Sequence, residues 1–156
     1  MNDQPEAPGR RIVVGVDGSP QSKAALRWAM TQAPLIGATV EATIAWQNPS
    51  MDEYCYGSST VIDGDQNLAA IAEKVLAETI AEVAGEQSVH VETQTHIIQG
   101  HPAEALVDAA TGAQLLVLGR GYGTFAGILL GSVSHHSVQH APCPVVIVPQ
   151  RPTPSQ

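Results

Sequence analysis

The sequence predicts an α/β fold, an open, mostly parallel, five-stranded doubly wound sheet with four helices. Three observations predict it. Strand and helix signals take turns from residue 11 to residue 149, the order that right-handed βαβ crossovers produce. Hydrophobic residues make up 44% of the chain but aromatics only 4%, so Ala, Val, Ile and Leu must build the core, as they do where helices cover a parallel sheet. Finally, 156 residues suit one core that buries roughly 70% of the unfolded surface, and no tandem repeat, heptad run or linker divides the chain. Residues 1–9 and 150–156 are expected to be disordered tails around one domain, 10–149.

Arg11 to Asp17 (RIVVGVD) is a β-branched apolar run ending in Asp-Gly-Ser-Pro, as a buried strand would before a helix. Ser19 is a suitable N-cap and Pro20 a suitable first helical residue. Ala24, Ala25, Trp28 and Ala29 follow at helical spacing, and the helix should stop near Pro34 to Gly37. Thr39 to Trp46 (TVEATIAW) reads as the second strand. Residues 47–66 break the periodicity with Pro, Gly, Ser and Asp, and a connection that long is often functional. Asn67 to Ala84 resumes helix, with Leu68, Ile71, Val75, Leu76 and Val83 assigned to one face, Gly85 as its stop, and Glu73, Glu78, Glu82 and Glu86 on the solvated side. Val89 to Ile98 alternates like a strand with one wet face and is placed at a sheet edge. Gly100, His101 and Pro102 open a third helix that closes at Gly112. Leu115 to Leu118 is a fully apolar strand, Gly119 to Gly131 a glycine-rich stretch, and Ser132 starts a last helix that must end by Pro142. Pro144 to Val148 (PVVIV) is the final strand.

Charge and composition exclude several functions. Seven Lys plus Arg against fifteen Asp plus Glu leave a net charge of −8, which lacks the basic footprint of a nucleic-acid binder. No stretch of about 18 apolar residues could span a bilayer, and the first ten residues, MNDQPEAPGR, hold no hydrophobic signal core. A cytoplasmic protein without membrane contact is expected. Cys55 and Cys143 form no CxxC pair, so neither a disulfide framework nor a thiolate zinc site is indicated. His136 and His140 lie four apart, on one helical face, with His135 beside them. No Cys or carboxylate completes a local tetrahedral set, so no metal site is expected.

The chemistry concentrates where strands end, because ligands of open α/β sheets bind at the carboxyl ends of strands where strand order reverses. Asp17 and Gly119 both stand at such ends. Asp17 could accept from ligand hydroxyls, or it could cap the turn before Ser19. The glycines from 119 to 131 let backbone amides approach an anion, and Ser132 could cap the helix while donating to phosphate, although turn glycines of a surface loop would read the same way. Neither GxxxxGK[ST] nor a GxGxxG after the first strand is present, which argues against a Walker-type NTPase. Nor is Ser132 in a nucleophile elbow.

Taken together, VVGVDGSPQSKAALRWA, HPAEALVDAA and GILLGSVSHHSVQHAPCPVVIVP resemble the universal stress protein family over nearly all of residues 10–149. The family's nucleotide-binding branch carries G-x-x-G-(nine residues)-G-[ST]. Nine residues separate Gly121 from Gly131, and Ser132 follows; only Arg120 separates Gly119 from Gly121, where the family has two residues. Such a shortened loop must either pull Leu118 out of its strand or tighten at Gly119.

The resemblance implies a Rossmann-like, adenine-nucleotide-binding fold. It makes Asp17 a ribose or adenosine contact, the backbone of Ala45 an adenine contact, and Gly100 a close neighbour of the nucleotide; from the residues alone, Gly100 is equally a turn residue before His-Pro. Gly119, Gly121, Gly131, Ser132 and Ser134 would bracket the sugar and phosphates. The implied ligand is ATP, with or without Mg²⁺, bound and not turned over by a stress-response regulatory protein. The implied assembly is a homodimer through the C-terminal strand, its protein partner unknown. The alternatives are a slow ATPase or nucleotide-dependent phosphotransferase, and a dimeric adaptor that binds no nucleotide.

Overall fold

The computed structural model describes residues 9–47, 64–121 and 130–150. Nine elements alternate along it: β1 (Arg11–Gly15), α1 (Pro20–Ile36), β2 (Thr39–Trp46), α2 (Gly64–Gly85), β3 (Thr93–Gln99), α3 (Pro102–Ala109), β4 (Leu115–Gly119), α4 (Ser132–His140) and β5 (Val145–Val148). The five strands form one sheet in the order β3-β2-β1-β4-β5, and every neighbouring pair is parallel. Strand order reverses between β1 and β4, so that is where a crevice opens at the carboxyl edge.

The period of two in each strand sorts side chains to the two faces. Ile12, Val14, Val40, Ala42, Ile44 and Val117 join Leu26, Met30, Leu76 and Val83 in a core under α1 and α2. Val13, Leu116 and Leu118 pack instead with Leu106, Val133 and Ile147, under α3 and α4. Leu76 is 1% exposed, so Leu76→Ala should destabilise the domain by about 2–5 kcal/mol. Thermal unfolding should show this as a fall in Tm on the order of 10 °C.

Local chemistry explains where elements start and stop. Ser19 caps α1, its side chain accepting from the Ser22 N–H at 3.1 Å, and Pro20 fills the first turn. Pro34 does not stop this helix, which runs two residues further to Ile36. A proline that near the end forfeits only one late hydrogen bond, and the amides of Gly37 and Ala38 both close on Ala33 O, with Gly37 at φ 67°. The second helix begins at Gly64, three residues before the expected Asn67. Its buried face is Ala72, Leu76, Thr79 and Val83, whereas Ile71 is 51% exposed. Thr79 satisfies its hydroxyl within the helix by donating to Val75 O at 2.7 Å, which lets a polar residue take the core position expected of an aliphatic one. The third helix is capped by His101, whose Nδ1 accepts from Ala103 N–H at 3.3 Å, and ends at Ala109, short of Gly112. In the edge strand, residues 89–92 precede β3 and are not part of it.

Two of the glutamates assigned to the solvated side, Glu82 in α2 and Glu86 just past its end, are not merely solvated. Glu82 meets Lys23 at 2.8 Å and Glu86 meets Arg27 at 2.5 Å, tying α2 to α1. The hydrogen bond from Arg27 holds the Glu86 carboxyl below its ordinary value. A carboxyl lowered in the folded state stabilises above its unfolded pKa, and that contribution disappears as pH falls through the folded pKa. Glu86→Gln should therefore show a smaller drop in Tm than wild type between pH 5 and pH 3.

Candidate functional site

A cleft of about 280 Å³ opens at the carboxyl edge of β1, β2 and β4, near the lower end of the size range for small-molecule pockets. Asp17, Ala45, Gly119, Gly121, Gly131, Ser132 and Ser134 all line it. The sheet brings Asp17, Ala45 and Gly119 together as neighbouring strand ends, while α4 delivers the other side. Gly100 is the exception, since Pro102 and not Gly100 lines the cleft. Gly100 instead follows β3 at φ 155°, with its N–H donating to Trp46 O at 2.7 Å, and so closes the end of the β2–β3 ladder.

The Asp17 side chain is exposed, and its Oδ1 accepts from Ser19 N–H at 2.9 Å. The second carboxylate oxygen has no protein partner among the described residues. Asp17 thus braces the turn into α1, and its exposed carboxylate lines the cleft.

The glycines stand where Cβ atoms do not fit. A Cβ on Gly119 would lie 2.6 Å from Gln21 O, where β4 meets the first turn of α1. One on Gly121, at φ 90°, would lie 2.7 Å from Gly131 Cα. Gly131 N–H donates to Arg120 O at 3.0 Å, which pinches the two ends of the glycine-rich segment together. Residues 122–129 of that segment lie outside the described residues. Leu118 stays in its strand, paired with Ile147, and Gly119 pairs with Val148. The shortened spacing therefore does not pull Leu118 out of its strand.

Ser132 does not cap α4. The N-cap is Gly131, which has no side chain to offer, and Ser132 is the first helical residue. Gly131 thus gives the first-turn amides of α4 no side-chain cap, at the end where the helix dipole is positive. The Ser134 hydroxyl donates to Gly119 O at 2.8 Å, fastening α4 to the end of β4. Gln21 and Thr43 also line the cleft. The Gln21 Oε1 is buried without a hydrogen-bond partner among the described residues, an acceptor that a ligand donor could satisfy. Thr43 could have been found from the sequence, because it stands two residues before Ala45 and so shares its face of β2. Gln21 could not, since its placement depends on how closely α1 meets β4.

Away from the cleft, burial pushes the Cys143 thiol up. No helix among the described residues is long and apolar enough to cross a membrane.

The Usp (universal stress protein) family profile matches residues 9–149. A universal stress protein of Mycolicibacterium smegmatis is 35% identical over 150 residues, which cover 88% of this chain and 47% of that protein. The chain thus spans about half the length of this and other mycobacterial relatives. A Thermus aquaticus universal stress protein, 34% identical, is matched over 98% of its length and 89% of this chain. Among solved structures, UspA of Lactobacillus plantarum superposes with a TM-score of 0.69 at 25% identity, covering 92% of this chain and 99% of that one. A universal stress protein in complex with cAMP superposes with a TM-score of 0.65 at 28% identity, covering 91% and 98%. With its five-stranded parallel sheet and a family match across the whole described domain, the chain belongs to the universal stress protein family.

Proposed function

We propose that this chain binds an adenine nucleotide, ATP in the first instance, in the cleft at the β1/β4 switch point, and holds it without turning it over. The observation that carries the reading is the meeting of Gly121 and Gly131 beside the uncapped start of α4. This arrangement offers backbone amides to receive an anion. Asp17 would accept from ribose hydroxyls, the Ala45 backbone would face the base, and Gly119, Gly121, Gly131, Ser132 and Ser134 would surround the sugar and phosphates. Gly100 would act through the end of the β2–β3 ladder. The relative solved with cAMP supports an adenine nucleotide as the ligand class.

Holding the nucleotide follows from the lining chemistry. Its carboxylate, Asp17, already accepts from Ser19 N–H, and the other described lining residues supply amides and hydroxyls, not a general base. Mg²⁺, where present, would ride on the phosphates. The bound nucleotide would then act as a regulatory signal in the cytoplasm, where ATP is available. A homodimer through β5 completes the reading, because four half-buried apolar residues on an edge strand form a template for a second copy.

Calorimetry on nucleotide-free protein tests the binding, with saturable uptake of ATP expected. Failure to bind any adenine nucleotide would overturn the reading. Phosphate release at one turnover per second or faster, an ordinary enzymatic rate, would replace it with the ATPase alternative. Light scattering tests the dimer, with twice the 16.3 kDa chain mass expected.

A further inference from the structure

On the opposite end of α4 from the cleft, His136 and His140 place their rings side by side. Their centroids are 4.4 Å apart and the ring planes are tilted by 41°. His140 is exposed and His136 half-buried, so solvent reaches the pair. We propose that His136 and His140 form a two-imidazole chelate for a borderline transition-metal ion such as Cu²⁺, Ni²⁺ or Zn²⁺, with water completing the coordination shell.

The rings stand close to the separation a chelate requires. An ion about 2.0–2.1 Å from two imidazole nitrogens lies about 3.2 Å from each ring centroid; at ligand angles of about 90–109° the centroids stand about 4.5–5.2 Å apart. The observed 4.4 Å lies just below that window, so the two rings would part slightly to take the ion. Residues four apart on a helix share a face, so the backbone already holds both ligands in place and little ordering is left for the ion to drive. His140 is also in the last turn of α4, where the helix dipole is negative and a cation is favoured. Imidazole selects borderline ions over Mg²⁺ and Ca²⁺, which prefer oxygen.

Sequence reasoning set this pair aside for want of a third ligand, and among the described residues no cluster of three or more His, Cys, Asp or Glu could hold a metal. A solvated chelate needs only two. The ion would clip the last two turns of the helix whose first turn carries Ser132 and Ser134, and the site does not depend on whether the cleft binds nucleotide.

Titration of tag-free, nucleotide-free protein with CuCl₂ and with ZnCl₂, read by calorimetry and by the visible absorption of Cu²⁺, tests the chelate. Wild type should take up the ion saturably and melt at a higher temperature in its presence. Affinity should fall at least tenfold in His136→Gln and in His140→Gln, because either change converts an intramolecular second contact into none. It should be unchanged in His135→Gln and His96→Gln. Since His140 is exposed, His140→Gln remains informative even if His136→Gln misfolds. Absence of saturable uptake by wild type, or equal affinity in wild type and His140→Gln, would overturn the proposal.

Discussion

Gly121→Ala is expected to weaken ATP binding about 100-fold or more while leaving the sheet folded. Two costs coincide at this position. An L residue at φ 90° is strained by about 1–2 kcal/mol, and the new Cβ would stand 2.7 Å from Gly131 Cα and 3.0 Å from Gly131 N. Both contacts are backbone, so no side chain can swing away, and relief requires the two ends of the glycine-rich segment to part, at a further cost of about 1–3 kcal/mol. Parting them displaces Gly131 and with it the start of α4. Gly37→Ala is the matching control, because Gly37 also has a positive φ, 67°, but faces open space. It should lower stability by about 1 kcal/mol and leave ATP affinity unchanged. Calorimetry on both variants separates backbone strain in general from loss of the cradle; equal affinities in wild type and Gly121→Ala would remove this segment from the binding site.

The contrast between these two glycines shows what the sequence made legible. Gly37 and Ser19 act within a few residues of themselves, as a C-cap and an N-cap, and such local chemistry can be read directly. The alternation of strand and helix, and the crevice at the ends of the first and fourth strands, likewise follow from patterns along the chain. Other features depend on which surfaces meet. Ile71 and Ala72 are one step apart on a helix, and burial of Ala72 in place of Ile71 is decided by the closeness of α2 to the sheet, which hydrophobicity alone ranks wrongly. Glu82 and Glu86 looked solvated because their partners, Lys23 and Arg27, are some sixty positions away in sequence. Ser132 had the residue type of an N-cap, but Gly131, whose N–H donates to Arg120 O across the neck of the segment, holds that place. The short spacing at Gly119 was visible; that Leu118 nevertheless keeps its place in the sheet was not, since that rests on its pairing with Ile147 of β5.

Asp17→Ala is expected to lower ATP affinity by about 10- to 150-fold, equivalent to roughly 1.5–3 kcal/mol for a hydrogen bond to a charged acceptor. The same substitution also removes the acceptor of Ser19 N–H, so a weaker ligand complex could arise from a loosened entry into α1. Asp17→Asn separates the two effects. Asparagine keeps a carbonyl oxygen where Oδ1 accepts from Ser19 N–H, so its Tm should stay near that of wild type, whereas Asp17→Ala should lose about 0.5–1.5 kcal/mol of stability. Toward a ribose hydroxyl, however, the amide is a neutral acceptor, and hydrogen bonds to ionised acceptors are roughly twice as strong. Asp17→Asn should therefore bind ATP several-fold more weakly than wild type despite an intact turn. If its affinity matched that of wild type while Asp17→Ala bound poorly, Asp17 would serve only to brace Ser19, and the ribose would have to be held by another acceptor lining the cleft, such as Gln21 Oε1.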